Sequence, residues 1–147
     1  MIPMIPTPDA IPTSWGYFQF FLLLTFPLHL FFMNSLIGSA GVALYAHFKG
    51  DEASKGLAYE LAKVIPLLVA LTVNFGVAPL LFVQVLYGHL FYASSILMGV
   101  FWILIVPILL IAYYATYWYD FKFASLGRAG ILVLACGYLL FLLVGFF

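Results

Sequence analysis

Four stretches of this chain, at about 17–46, 61–87, 96–119 and 129–147, are long and almost wholly apolar. A helix needs about 20 predominantly apolar residues to cross a bilayer. In lipid the backbone N–H and C=O groups have no water to bond, so a spanning segment of this length must be helical. The first stretch is long enough to tilt or to project beyond the bilayer. These runs predict an all-α, integral membrane four-helix bundle forming a single transmembrane domain. Composition agrees: 67% of the 147 residues are hydrophobic and 7% are charged, against roughly 25% charged in a soluble domain. The single cysteine, Cys136, lies in an apolar run and allows no disulfide framework. The net charge is zero and there is no basic block, so nucleic acid is not an expected partner.

All five basic residues fall near two connections: Lys49, Lys55 and Lys63 around the first, Lys122 and Arg128 in the third. The start of the chain and the second connection have none. This positive-inside asymmetry places both basic connections in the cytoplasm and both termini outside it. Trp15, Tyr17, Tyr87, Phe91 and Tyr92 are expected in an outer aromatic belt. Tyr113, Tyr114, Tyr117, Trp118 and Tyr119 are expected in an inner one. Residues 1–16 read as a Pro-rich outer arm. They lack the positive n-region of a secretory signal, since no Lys or Arg precedes Lys49. Pro27, Pro66, Pro79 and Pro107 sit inside the spans and predict kinks. The expected location is the inner (cytoplasmic) membrane of a bacterium or archaeon, crossed several times.

The acids Asp51, Glu52, Glu60 and Asp120 all lie near span ends. A proton relay or ion path uses buried ionisable groups, so a self-sufficient transporter is disfavoured. No nucleophile stands beside a base, and no GxSxG, HExxH, CxxCH or phosphate-loop pattern occurs. Catalysis by this chain alone is not expected.

Three histidines remain. His29 lies twelve residues into the first span, about 18 Å along the axis. A polar group at that depth costs several kcal/mol unless partnered, so it bonds another helix or ligates a metal. Imidazole is a common axial ligand of haem iron. Met33 follows at i+4 on the same face. Ser35, Gly38, Ser39, Ala40 and Gly41 are small enough to admit a flat macrocycle or another helix. His89, after Gly88, is a second candidate ligand at the outer end of the second span, or an interfacial histidine. His47 lies five turns beyond His29 and reads chiefly as a polar helix end beside Lys49. Gln19, Asn34, Asn74 and Gln84 can serve a quinone or pair with another helix. Every Lys and Arg lies at the cytoplasmic side, so the propionates of an outer haem would need cations from a partner.

The order of features from Phe18 to Gly88 resembles the amino-terminal part of the cytochrome bd quinol oxidase subunit I superfamily. The resemblance rests on Phe18-Gln19-Phe20, on Thr25-x-x-x-His29, on a short lysine-bearing loop, and on Asn74-Phe75-Gly76-Val77-Ala78. It implies that His29 is a haem ligand at the outer side and that the amino terminus is outside. The chain departs from the family pattern in several places. The Gln-to-His spacing is longer by two, the Arg before Gln-Phe is absent, and no Glu follows Glu60. The resemblance therefore implies a reduced relative with no oxygen reduction of its own. The expected function is a b-type cytochrome-like subunit of a respiratory complex. It would bind haem b through His29, His89 and Met33, and a quinone beside amides such as Gln19, Asn34, Asn74 and Gln84. It would pass electrons between quinol and an outer-face partner such as a c-type cytochrome, among other integral membrane subunits and lipid. The alternative is a haem-free structural subunit packed on a larger catalytic chain.

Overall fold

The computed structural model describes residues 10, 11 and 13–146. Most of the expected arm, including Asp9, and the last residue, Phe147, lie outside the described residues. The architecture is all-α: α1 (Trp15–Lys49), α2 (Glu52–Leu97), α3 (Gly99–Phe121), α4 (Phe123–Leu126) and α5 (Ala129–Phe146). Four of these helices, all but the single turn α4, are long and apolar enough to cross a membrane. On that ground the chain is a multi-pass membrane protein.

Two boundaries differ from the sequence expectation. The second helix has 46 residues, not the 27 of 61–87. It begins nine residues early because Asp51 caps it, its Oδ1 accepting from the Ser54 N–H at 2.9 Å. It also continues through 88–95, where a loop was expected. The break contracts to Tyr87 (φ −130°, ψ 29°) and to Met98. Pro27, Pro66, Pro79 and Pro107 sit inside helices, and the one residue with non-helical φ/ψ inside α2 is Tyr87, beside Gly88. The α1–α2 turn is closed by Gly50 in the left-handed region (φ 75°), its N–H donating to the Ala46 carbonyl at 3.2 Å.

The helices pack as two antiparallel pairs, α1 with α2 and α3 with α5, joined by α2–α3 and α1–α5 contacts. The shared core is not evenly spread. From α1 it takes Leu36, Ala40 and Ala43, from α2 Ala62, Ile65 and Val69, from α3 Ala112 and Tyr119, and from α5 Leu134 and Phe141. Every buried residue of α1 lies in its second half. The first half of α1 packs on α2 through aromatic pairs, Phe21 on Phe82 (5.8 Å) and Phe32 on Phe75 (4.8 Å). Of the small residues expected to admit a macrocycle or another helix, Ala40 and Gly41 serve helix packing, and Gly38 is exposed. Ala40 is sealed in the core, and a Cβ on Gly41 would lie 3.4 Å from the Tyr138 hydroxyl. Tyr119, expected in the inner aromatic belt, is completely buried.

Candidate functional site

The two histidines of α1 occupy similar slots and make different bonds. Each ring is seated against a glycine of a facing helix. A Cβ on Gly76 (α2) would fall 2.9 Å from His29 Cε1, and one on Gly130 (α5) would fall 2.7 Å from His47 Cε1. Only a residue without a side chain leaves room for these rings at such helix spacing.

His29 is half-buried, and its Nδ1 lies 3.0 Å from the Thr72 carbonyl oxygen on α2. A carbonyl can only accept, so Nδ1 carries the proton and donates. In the neutral ring Nε2 then holds a lone pair, and it has no hydrogen-bond partner among the described residues. This arrangement, one nitrogen donating to a carbonyl and the other bare, is how a protein orients an imidazole that ligates a metal. Met33 is half-buried one turn further along α1.

His89 is half-buried beyond the Tyr87 kink. It lies thirteen residues past Gly76 on the same helix, about 20 Å of rise. His29 and His89 therefore do not meet across one iron. The connection expected at 88–95 is helix, so His89 continues along α2, away from His29. No group of three or more His, Cys, Asp or Glu side chains suited to a metal ion occurs among the described residues.

His47 is saturated. Its Nε2 lies 2.9 Å from the Gly127 carbonyl and its Nδ1 lies 2.8 Å from the Tyr119 hydroxyl. In the neutral ring Nε2–H donates to Gly127, and Tyr119 O–H donates to Nδ1. The ring also contacts Phe123 edge-on at 5.6 Å. One side chain thus ties α1, α3, the α4–α5 turn and α5 together. Sequence reasoning placed His47 at a polar helix end and overlooked Tyr119, Gly127 and Gly130. The one available signal was the glycine pair flanking Arg128, which lets backbone approach a ring.

The amides expected to pair between helices mostly bond within their own. Asn34 and Asn74 each donate Nδ2–H to the carbonyl four residues back, both at 2.7 Å. Gln19 Oε1 accepts from Tyr87 Oη at 3.4 Å, across the α1–α2 pair. Asn74 also lines an apolar groove between α2 and α3, with Val69, Val73, Leu109, Leu110 and Tyr113. Tyr113 Oη there lies 3.2 Å from Tyr117 Oη.

Comparison of the chain with protein-family models, with curated proteins and with solved structures finds no match.

Proposed function

We propose that this chain is a b-type cytochrome-like subunit of a respiratory electron-transfer complex, with His29 Nε2 as one axial ligand of haem b. The observation that carries the reading is the His29 Nδ1–H bond to the Thr72 carbonyl, which leaves Nε2 as an oriented lone pair. Haem b, when bound, supplies a reversible one-electron iron couple. Thr72 holds the tautomer, and Gly76 clears the space for the ring. The first half of α1, which buries no residue of its own, is the face on which the group and a partner subunit would rest. The second ligand belongs to that partner, because His89 is too far along α2 and His47 is fully bonded. Cations for the propionates come from the partner as well, since every Lys and Arg lies near the other connections.

In this proposal the basic connections face the cytoplasm and both termini lie outside. The α2–α3 groove offers a quinone an apolar slot with the Asn74 amide and the Tyr113 phenol at its edge. Electrons then pass between quinol and an outer-face partner, for which a c-type cytochrome is the proposed kind. The test is a reduced-minus-oxidised absorption spectrum of the complex with haem supplied. Soret and α bands that are lost or become high-spin in His29→Ala support the ligand role. Unchanged bands and haem content in that variant would eliminate it.

The same contact favours one alternative, a haem-free structural subunit in which His29 pins α1 to α2. Under that reading His29→Ala weakens the helix pair by about 1 kcal/mol, as for an interhelical hydrogen bond in a membrane, and no preparation shows haem bands.

A further inference from the structure

The basic end of the bundle holds a pocket that the electron-transfer reading does not use. It is formed where α1 ends and α5 begins, and three of the chain's five cations, Lys49, Lys55 and Arg128, line it beside His47. Lys49 is shared with Asp51 at 3.0 Å, while Lys55 and Arg128 form no ion pair among the described residues. His47 has both nitrogens committed, so its part is to form the wall and not to bind. The nearby acids are Asp51, held by Lys49 and the Ser54 N–H, and Glu52 at the start of α2.

This pocket continues into an apolar groove. Phe48 and Ile131 line both, and the groove then runs between α1 and α5 past Tyr45, Leu44, Ala135 and Tyr138. Charge therefore sits where the apolar helices α1 and α5 end and begin, and apolar surface leads from it along them. A free anion would use the first part only. A lipid with an anionic headgroup uses both. Basic pockets between membrane helices are a recurrent way of holding such headgroups.

We infer that the α1–α5 crevice is a binding site for an anionic phospholipid. Its phosphate lies among Lys49, Lys55 and Arg128, and one acyl chain lies along the Tyr45–Ala135 groove. The inference is independent of the His29 reading, since no residue is shared.

The test is a titration of the full-length chain in detergent micelles, read by native mass spectrometry. The probes are phosphatidylglycerol, phosphatidylcholine and inorganic phosphate. Phosphatidylglycerol should be retained over phosphatidylcholine. Lys55→Gln with Arg128→Gln should weaken it about thirtyfold, at about 1 kcal/mol per cation. Lys55→Gln alone, at an exposed position, should weaken it about fivefold. This single variant keeps the test valid if the double variant loses helical circular dichroism. Lys122→Gln removes an equal charge outside the pocket and should change little. Ala135→Phe fills the groove and should weaken phosphatidylglycerol while leaving phosphate unaffected. Equal retention of the two lipids, or an equal loss in Lys122→Gln, would overturn the inference. So would tight phosphate binding combined with indifference of phosphatidylglycerol to Ala135→Phe, which would mark a free-anion site.

Discussion

His29 and His47 lie eighteen residues apart on one helix, each pressed against a glycine of a facing helix, yet their hydrogen-bonding capacity is spent differently. His47 sits where α1, α3, α4 and α5 converge, and both its nitrogens are bonded. His29 is seated against Thr72 and Gly76 of α2, and one nitrogen is bonded. The surroundings explain the contrast. The axial separation is about 27 Å, and α5 spans about 24 Å from Gly130 to Phe146. The level of His29 is therefore about where α5 ends. With fewer neighbours there are fewer donors, and the Nε2 lone pair is left over. A saturated imidazole clamps a structure, whereas a half-saturated one is oriented and still able to bind. The lesson is that a membrane histidine is judged by the nitrogen it has left, not by its depth.

The comparison can be broken most directly through haem. His29→Ala should abolish the b-type bands of the complex or turn them high-spin, and His47→Ala should leave their positions unchanged. Equal spectral loss in both variants would mean that assembly, and not ligation, governs the signal. Next in size is stability. His47→Phe removes two hydrogen bonds and should cost about 2 kcal/mol at roughly 1 kcal/mol each, measured by denaturant-induced unfolding in mixed micelles. Tyr119→Phe should cost about 1 kcal/mol and should be non-additive with His47→Phe, because the two variants delete the same bond. Additive losses would show that the pair does not act as a unit.

A smaller effect sharpens the role of the glycine slots. Gly76→Ala puts a methyl 2.9 Å from His29 Cε1. The ring must shift by several tenths of an ångström, which should move the haem bands without abolishing them. Gly38→Ala, whose Cβ meets nothing within 4 Å, should leave them in place. The smallest effect concerns pH at the α1–α2 turn. The Ser54 hydrogen bonds, followed by Lys49, hold the Asp51 carboxyl down at about 2. A depressed carboxylate contributes its stabilisation above its ordinary range and loses it as pH falls through the lowered value. Unfolding midpoints in micelles should therefore be flat in this contribution above about pH 5 and should fall progressively below it. Asp51→Asn should remove this part of the dependence.

The core of the fold was legible because lipid makes stringent demands of sequence. Runs of uncharged residues around Leu23, Leu68, Leu109 and Leu139 admit only helices. The gathering of cations at Lys49, Lys55, Lys122 and Arg128 foretold which connections lie together, and the His47–Gly127 bond brings the first and third side by side. The ends of α2 were less legible. The helical run through 88–95 has the same apolar character as a buried turn, so periodicity could not separate the two. At the candidate site, His29 and Met33 were singled out from depth and spacing alone. Thr72 was not, because its contribution is a backbone carbonyl, which every residue carries and no side chain advertises.

By itself, then, the sequence determined that this chain lies in a membrane, that it crosses with four long helices, and that His29 is a polar group in apolar company. Those properties follow from composition along one dimension: hydropathy, length and charge position. Only the tertiary structure decided which histidine is used up and which retains a lone pair. It also decided that α2 continues as helix beyond Gly76 to His89 and past it, and that Lys55 and Arg128 open onto one crevice. Those outcomes depend on which face of each helix meets which neighbour. Helices that are apolar nearly all round carry no amphipathic stripe to announce that choice. It is made by close fits, Gly76 against His29 and Gly130 against His47, which exist only once the helices have packed.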